Sequence, residues 1–375
     1  MRFKRLIFFS LAVCASIVSA GCWDARDIND KALITLVVTD RQDGDLVFYV
    51  EVPNLTVGQL SERGASQEQY DIISGAGKTY AEARRQLDTQ MDKPIFLGTV
   101  RALVLTDELM EFGIEEYFYR MQTMVDYRRA LDVVTTRDTP EAFLSVQPEN
   151  NVSIGYEIDE TVNSLESNGK VVIYTISDVL EFLYADQCFV LINMDVKNGR
   201  LIYTGYSVIH SGKYGGFVPL EESKGLVWLL GHNTMRIYTV QTDAYLATVD
   251  VRNISRKITP HYSDGQITFD IRLGFDSRVL YMDKSIRFDD RQQALVKNML
   301  QTQLMDDVAE AIIQSQAFQC DYLGFKDVFR TAYPGLTAQL DWDAAYTNAA
   351  FNISVETTLD PGGMLDMEVQ GETVQ

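Results

Sequence analysis

The sequence predicts an α+β protein of two or three domains, whose C-terminal part joins an antiparallel sheet to a long helix. Three observations carry this. Short β-branched runs and helix-spaced segments take turns through residues 32–147. Residues 235–275 then alternate apolar and polar with period two around an Asp264-Gly265 turn. Finally, residues 285–318 place Leu295, Met299, Leu304, Val308 and Ile312 on one stripe, against charged Asp289, Asp290, Arg291, Lys297, Asp307 and Glu310. Such a stripe belongs to a helix that packs one face on a sheet. A chain of 375 residues accommodates two or three domains of roughly 100–200 residues. The expected organisation is a signal peptide over 1–21, an N-terminal α+β region over 22–198 and a C-terminal α+β region over 199–375, subdivided again near 232.

The elements follow in order. Residues 32–39 and 46–52 are apolar and β-branched around Asp43-Gly44, which reads as a hairpin. Residues 54–70 are polar and carry Gly58 and Gly64, a loop, and Ile72-Ile73 is a short strand. Tyr80, Ala83, Leu87 and Met91 recur at three and four, one face of a helix over 79–91. Thr79 and Glu82 form a capping box at its start. A strand over 100–105 leads to Thr106 or Asp107, the cap of a helix that Gly113 interrupts; Ile114, Tyr117, Phe118 and Met121 continue its apolar face. After a strand over 130–136, Thr139-Pro140-Glu141 opens a helix, with proline where a missing N–H costs nothing. Residues 162–170 read as polar, 177–184 as a helix and 190–192 as a strand. Asn198-Gly199 turns into a strand over 201–209, residues 212–216 make a second turn, and a helix runs from Pro219 to Leu230, stopped by Gly231. Beyond the long helix, a helix over 324–333 ends at Pro334 and a strand over 351–359 closes the pattern.

The start of the chain has its own logic. Arg2, Lys4 and Arg5 precede an uncharged run over 6–18, then small Ser19, Ala20 and Gly21, then Cys22. Basic, apolar, small is the layout of a secretory signal, and the run is shorter than the roughly 20 residues that span a bilayer. A cysteine directly after the small residues points to a lipoprotein signal, with a diacylglyceryl group on the Cys22 thiol and cleavage before it. Ser19 stands where Leu, Val or Ile is usual, with Val18 one step back. Cys14 is a rival with Leu11 in the favoured place, but bulky Val13 precedes it, so Cys22 is preferred. The alternative is an ordinary secreted protein with Cys22 left as a thiol. Removing 1–21 would take the formal charge from −20 to −23, since only three basic residues leave. So acidic a chain is a poor partner for nucleic acid or a bare anionic membrane. Cys188 and Cys320 remain; two buried thiols are preferred to one disulfide.

Chemistry is scarce. His210, His232 and His261 show no paired ligand spacing, so no metal site is expected. No GxSxG elbow is present. Gly75-Ala76-Gly77-Lys78-Thr79 lacks the glycine that a phosphate loop needs at position 72, which is Ile. No catalytic residue and no cofactor are expected. Trp228 and Trp342 sit among apolar residues, and core packing is expected for both.

At Gly21-Cys22-Trp23-Asp24 the chain resembles the Ger(x)C family, the lipoprotein C subunits of bacterial spore germinant receptors. Further motifs follow in the family's order: Gly77 and Thr79 with Ala81-Glu82-Ala83, Phe96-Leu97-Gly98 with 102–105, and Gly113-Ile114. Gly205-Tyr206-Ser207, Gly225-Leu226-Val227-Trp228, then Asp321, Gly324 and Phe325 with Trp342 beyond complete the set. The resemblance spans nearly the whole mature chain. It implies a non-catalytic, membrane-anchored lipoprotein subunit, required for nutrient-triggered germination and held through lipid on Cys22. It further implies A and B receptor subunits as partners, a place on the exported face of the cell membrane (in spores, the inner membrane), and an α+β fold of about three domains. The competing reading is a lipoprotein substrate-binding protein of a transporter. That needs two α/β lobes around a cleft, which the run over 235–275 and the long helix fit poorly.

Overall fold

The structure is a computed structural model that describes residues 28–53, 70–123, 127–148, 153–242, 246–282 and 288–362. Cys14, Cys22 and residues 54–69 of the loop expected over 54–70 lie outside the described residues, and Tyr70 already belongs to a strand.

The first part of the chain builds one eight-stranded mixed sheet. β1 (Ala32–Leu33) pairs in parallel with β5 (Ile95–Phe96) as a separate ladder. β2 (Leu36–Gln42) turns through Asp43-Gly44 into β3 (Asp45–Pro53); both turn residues have positive φ, 50° and 88°, as Asp-Gly hairpins require. β4 (Tyr70–Gly77) extends the meander. α1 (Tyr80–Asp88) carries the chain to β6 (Ala102–Thr106), parallel to β2. Next come α2 (Asp107–Phe112), α3 (Glu115–Thr123) and β7 (Val133–Thr136), then α4 (Pro140–Leu144), α5 (Ile154–Ser167), α6 (Ile176–Tyr184) and β8 (Phe189–Lys197). β7 and β8 each add in parallel, whereas β9 (Arg200–His210) and β10 (Lys213–Pro219) add as antiparallel hairpins. The order is β10-β9-β8-β7-β6-β2-β3-β4.

Helices cover both faces of this sheet, which is why its central strands are unbroken apolar runs. Leu36, Val37 and Val38 of β2 and Ala102 to Leu105 of β6 are at most 1% exposed. Phe118 of α3 and Leu180 of α6 pack on one face, Phe143 of α4 and Ile158 of α5 on the other. Glu51 of β3 is buried as well. Its carboxylate accepts from Thr35 Oγ1 (2.6 Å), Ser153 Oγ (2.6 Å), Ile154 N (2.6 Å) and Gly155 N (3.1 Å). It thus supplies the acceptors that the first turn of α5 lacks within its own helix.

α7 (Lys224–Leu230) leads to a second sheet, ordered β11-β12-β13-β14. β11 (Met235–Gln241), β12 (Leu246–Ser263) and β13 (Gln266–Met282) are antiparallel; β14 (Ala350–Thr357) returns parallel to β13. α8 (Asp290–Ala317) lies along this sheet, and α9 (Phe325–Ala332), α10 (Pro334–Thr337) and α11 (Trp342–Thr347) close the end. Trp228 of α7 is fully buried, its Nε1 donating to the Tyr238 hydroxyl at 2.9 Å. Around α9 the rings of Phe269, Phe325, Phe329, Trp342, Tyr346 and Phe351 form one cluster.

The α+β class, the C-terminal sheet and the long helix match the sequence expectation, but four details differ. The stripe of α8 runs through Val296, Leu300, Leu304, Val308 and Ile312; Leu295 is 43% exposed and Met299 half-buried. Five buried positions spaced by four make one straight stripe, and the expected set left it by one residue in its first two turns. Residues 162–167 of the segment expected to be polar form the end of α5, whose buried residues Ile154, Gly155 and Ile158 lie in its first half, with Val162 the one buried residue beyond them. Residues 213–216 are not a turn but part of β10: the chain reverses at Ser211-Gly212, both with positive φ, and a bulge between Tyr214 and Gly216 absorbs the glycines. Pro219 ends β10 rather than opening a helix, and a 3-10 turn over Leu220–Glu222 intervenes before α7.

Candidate functional site

The two sheets meet at a corner where α6 and the start of β8 face the loop between α8 and α9. A cleft of about 180 Å3 opens there, lined among others by Gln187, Cys188, Asp321, Lys326, Trp342 and Asp343. Cys188 comes just before β8, and Cys320 follows α8. The two are joined as a disulfide, with Cα atoms 5.5 Å apart and a sequence separation of 132. The expectation of two buried thiols is therefore corrected. Both elements end at one corner, a proximity that the long separation in sequence hides. Closing a loop of that length removes about 4–5 kcal/mol of unfolded-state entropy in the chain-entropy model. Gln187 Nε2 donates to Asp327 Oδ1 at 2.9 Å across the same corner.

Asp321 gives this corner its rigidity. Its Oδ1 accepts from Phe325 N at 3.0 Å, and its Oδ2 accepts from Lys326 N at 2.6 Å and Trp342 Nε1 at 3.0 Å. One carboxylate thus caps α9 and fixes α11. Gly324 sits between them at φ 78°, a left-handed conformation that a side chain would strain. The motif of Asp321, Gly324 and Phe325 read from the sequence is therefore a capped turn with a buried ring behind it. Burial pushes the Asp321 carboxyl up to about 7, against the two backbone N–H groups and the indole N–H that favour its anion.

His210 ends β9 beside the two cysteines. A ring nitrogen of His210 and the two sulfurs lie within 4.8 Å of one another, and His210 Nε2 is 3.4 Å from Asp343 Oδ2. Spacing along the chain could not reveal this group, because its members come from three separate elements. The other histidines are elsewhere: His232 is exposed, and His261 pairs with Asp270 at 3.0 Å on the surface. Trp342 is 7% exposed and Trp228 is fully buried, as core packing requires. Cys22, the expected lipidation site, lies outside the described residues. Among the described residues no helix is long and apolar enough to cross a membrane.

A second polar centre lies at the ends of β7 and β8. Arg137 contacts Asp195 Oδ2 through Nε (3.1 Å) and Nη2 (2.6 Å), and its backbone N donates to Oδ1 at 3.0 Å. Asn193 Nδ2 and Thr204 Oγ1 add donors at 2.8 and 2.9 Å. Burial acts to raise the Asp195 carboxyl, but these donors outweigh it and hold it below the usual range. The Asp195 carboxylate is spent on protein donors from β7, β8 and β9, which makes it a joint between strands.

Comparison with known proteins decides what this geometry belongs to. A family model described as the spore germination protein N-terminal domain matches residues 24–196, and one described as spore germination B3/GerAC like, C-terminal, matches residues 204–363. The chain belongs to the Ger(x)C family. Spore germination protein YndF of Bacillus subtilis (strain 168) is 21% identical over 96% of this chain and 97% of its own. Spore germination protein KC of the same strain is 20% identical over 96% and 97%, and spore germination protein B3 is 21% identical over 94% and 96%. The crystal structure of the GerBC protein superposes with a TM-score of 0.58 at 14% identity, covering 86% of this chain and 96% of that one, so the fold is shared. The gap between the two Ger(x)C models falls on the β8–β9 hairpin, inside the eight-stranded sheet.

Proposed function

We propose that this Ger(x)C chain is the lipid-anchored, non-catalytic C subunit of a spore germinant receptor, required for nutrient-triggered germination. The observation that carries the reading is the pair of family models, which together run along the chain from two residues past Cys22 to residue 363. Cys22 is the proposed acylated N-terminus, supported by the basic, apolar and small residues before it and by Trp23-Asp24 after it. Several acyl chains anchor durably where one binds reversibly, at about 0.8 kcal/mol per buried CH2. Tethering also raises the effective concentration of the domains near their partners. Those partners are the A and B subunits of the receptor, on the exported face of the membrane and, in spores, the inner membrane. The proposed organisation keeps a sequence division at 198/199 and a second near 232.

The test uses spores that carry Cys22→Ala in place of the native gene. Germination through that receptor should weaken or fail, and the A and B subunits should co-purify from membranes with the wild-type chain but poorly with the variant. A full germination response from spores whose C subunit carries no lipid would contradict the reading.

A further inference from the structure

We propose that Cys188, Cys320 and His210 form a redox-gated zinc site: closed as a disulfide, open to Zn2+ as a dithiol. A covalent staple between the two sheets needs only the two sulfurs. The structure adds an imidazole, from a third element, within 4.8 Å of both. It also adds a carboxylate, Asp343, 3.4 Å from the Nε2 of that imidazole. Two thiolates and one imidazole are the donor set that Zn2+ takes in tetrahedral sites, at about 2.3 Å to sulfur and 2.0 Å to nitrogen. A carboxylate beside a zinc-binding histidine is the usual partner that orients its ring, when it holds the nitrogen that the metal leaves free. Cys188 and Asp343 both line the cleft, so water can reach the group and complete the tetrahedron.

The backbone around the group favours both states. The Cα atoms of the cysteines are 5.5 Å apart, which suits a disulfide and leaves two freed sulfurs close together. Each cysteine stands outside a regular element, next to the first strand residue of β8 and just past the end of α8, while β9 and α11 fix His210 and Asp343. The sulfurs can therefore separate by rotation about their own side chains while the imidazole stays in place.

The chemistry balances. Two equivalents of a low-molecular-weight thiol reduce the Cys188–Cys320 bond; the S–S bond breaks, two S–H groups form, and the external thiol leaves as its disulfide. Zn2+ then binds both sulfurs as thiolates and releases two protons. Re-oxidation by a disulfide of the same class expels the metal, because a sulfur engaged in a disulfide is no longer a thiolate ligand.

The experiment uses the full chain in detergent micelles, prepared oxidised and reduced, with Zn2+ added alone and Co2+ in a parallel sample. Zinc retained after gel filtration should be about one per chain in the reduced protein and near zero in the oxidised one. His210→Gln should weaken binding by about 100-fold or more and Asp343→Asn by about 10-fold. Reduced protein substituted with Co2+ should show the intense visible bands of a tetrahedral thiolate site. Circular dichroism follows the fold throughout. The proposal is overturned if the reduced, folded chain binds no zinc, if Cys188→Ser with Cys320→Ser binds as well as the wild type, or if reduction alone unfolds the chain.

Discussion

The two sheets are held by opposite means. In the first, buried polar groups act as joints: Glu51 ties β3 to the loop before β2 and to α5, and Asp195 with Arg137 ties β8 to β7. In the second, a stripe of aliphatic residues on α8 and a cluster of rings around α9 and α11 carry the packing. The difference follows from topology. A sheet covered on both faces leaves strand ends and helix starts inside the protein, where their N–H groups must find acceptors. The second sheet, covered on one face, alternates buried and exposed residues along its strands and is closed chiefly by an apolar lid, with buried Asp321 the polar exception at its corner. The first sheet should therefore be the more sensitive to lost acceptors, and the second, away from the Asp321 corner, to lost volume.

The largest expected effect is in the second sheet. Trp228→Ala empties a fully buried site and should cost about 3–5 kcal/mol, read as a fall in the denaturation midpoint. A variant that melts like the wild type but no longer joins its partners would mean that the ring is a docking anchor instead. In the first sheet, Glu51→Ala strands two hydroxyls and two N–H groups and should cost about 3 kcal/mol. If it costs less than its exposed neighbours, the picture of polar joints fails.

A paired test on α8 is finer. Leu300→Ala, at a fully buried position, should cost about 2–5 kcal/mol. Leu295→Ala, at a position 43% exposed, should stay within about 0.5 kcal/mol. Equal costs would restore the stripe expected from the sequence. That stripe also marks the limit of what was legible. The helix announced itself through 28 residues of period, and the hairpins did so through Asp43-Gly44, Asn198-Gly199 and Asp264-Gly265. The phase of the helix in its first turns did not, because Leu295, Met299, Val296 and Leu300 are all apolar and only the sheet opposite chooses between them. α5 hid for the reverse reason: its buried residues are few, and the acceptor that starts it, Glu51, lies about a hundred positions away. The corner of Cys188, His210, Cys320 and Asp321 was invisible for the same cause, since sequence shows spacing along the chain and this group exists only across it. The Asp321 motif was visible as a family resemblance, but its physical role as a cap needed the bonds to Phe325 and Trp342.

The smallest effect concerns pH. Burial pushes Asp107 and Asp132, both in the first sheet region, up to about 6 from an ordinary 3.8. Between those values the folded chain holds protons that the unfolded chain has released. Stability from these two groups is thus highest below about pH 4 and declines as pH rises to about 6, with no further change above. Denaturant midpoints should be higher at pH 5 than at pH 7.5, and Asp132→Asn should flatten the difference. A midpoint that rises from pH 5 to pH 7.5 would show that other groups control the region.

The central proposal is that lipid on Cys22 holds this acidic protein at a membrane. With a formal charge of −23 once residues 1–21 are removed, it has no electrostatic route back to an anionic surface. The most direct measurement is membrane fractionation of the wild type, Cys22→Ala and Cys14→Ala, with intact-mass analysis of the mature N-terminus. The account predicts an N-terminal Cys22 bearing acyl chains in the wild type, a soluble Cys22→Ala protein, and a Cys14→Ala protein that stays in the membrane. A Cys22→Ala protein that remains membrane-bound while Cys14→Ala is released would contradict it.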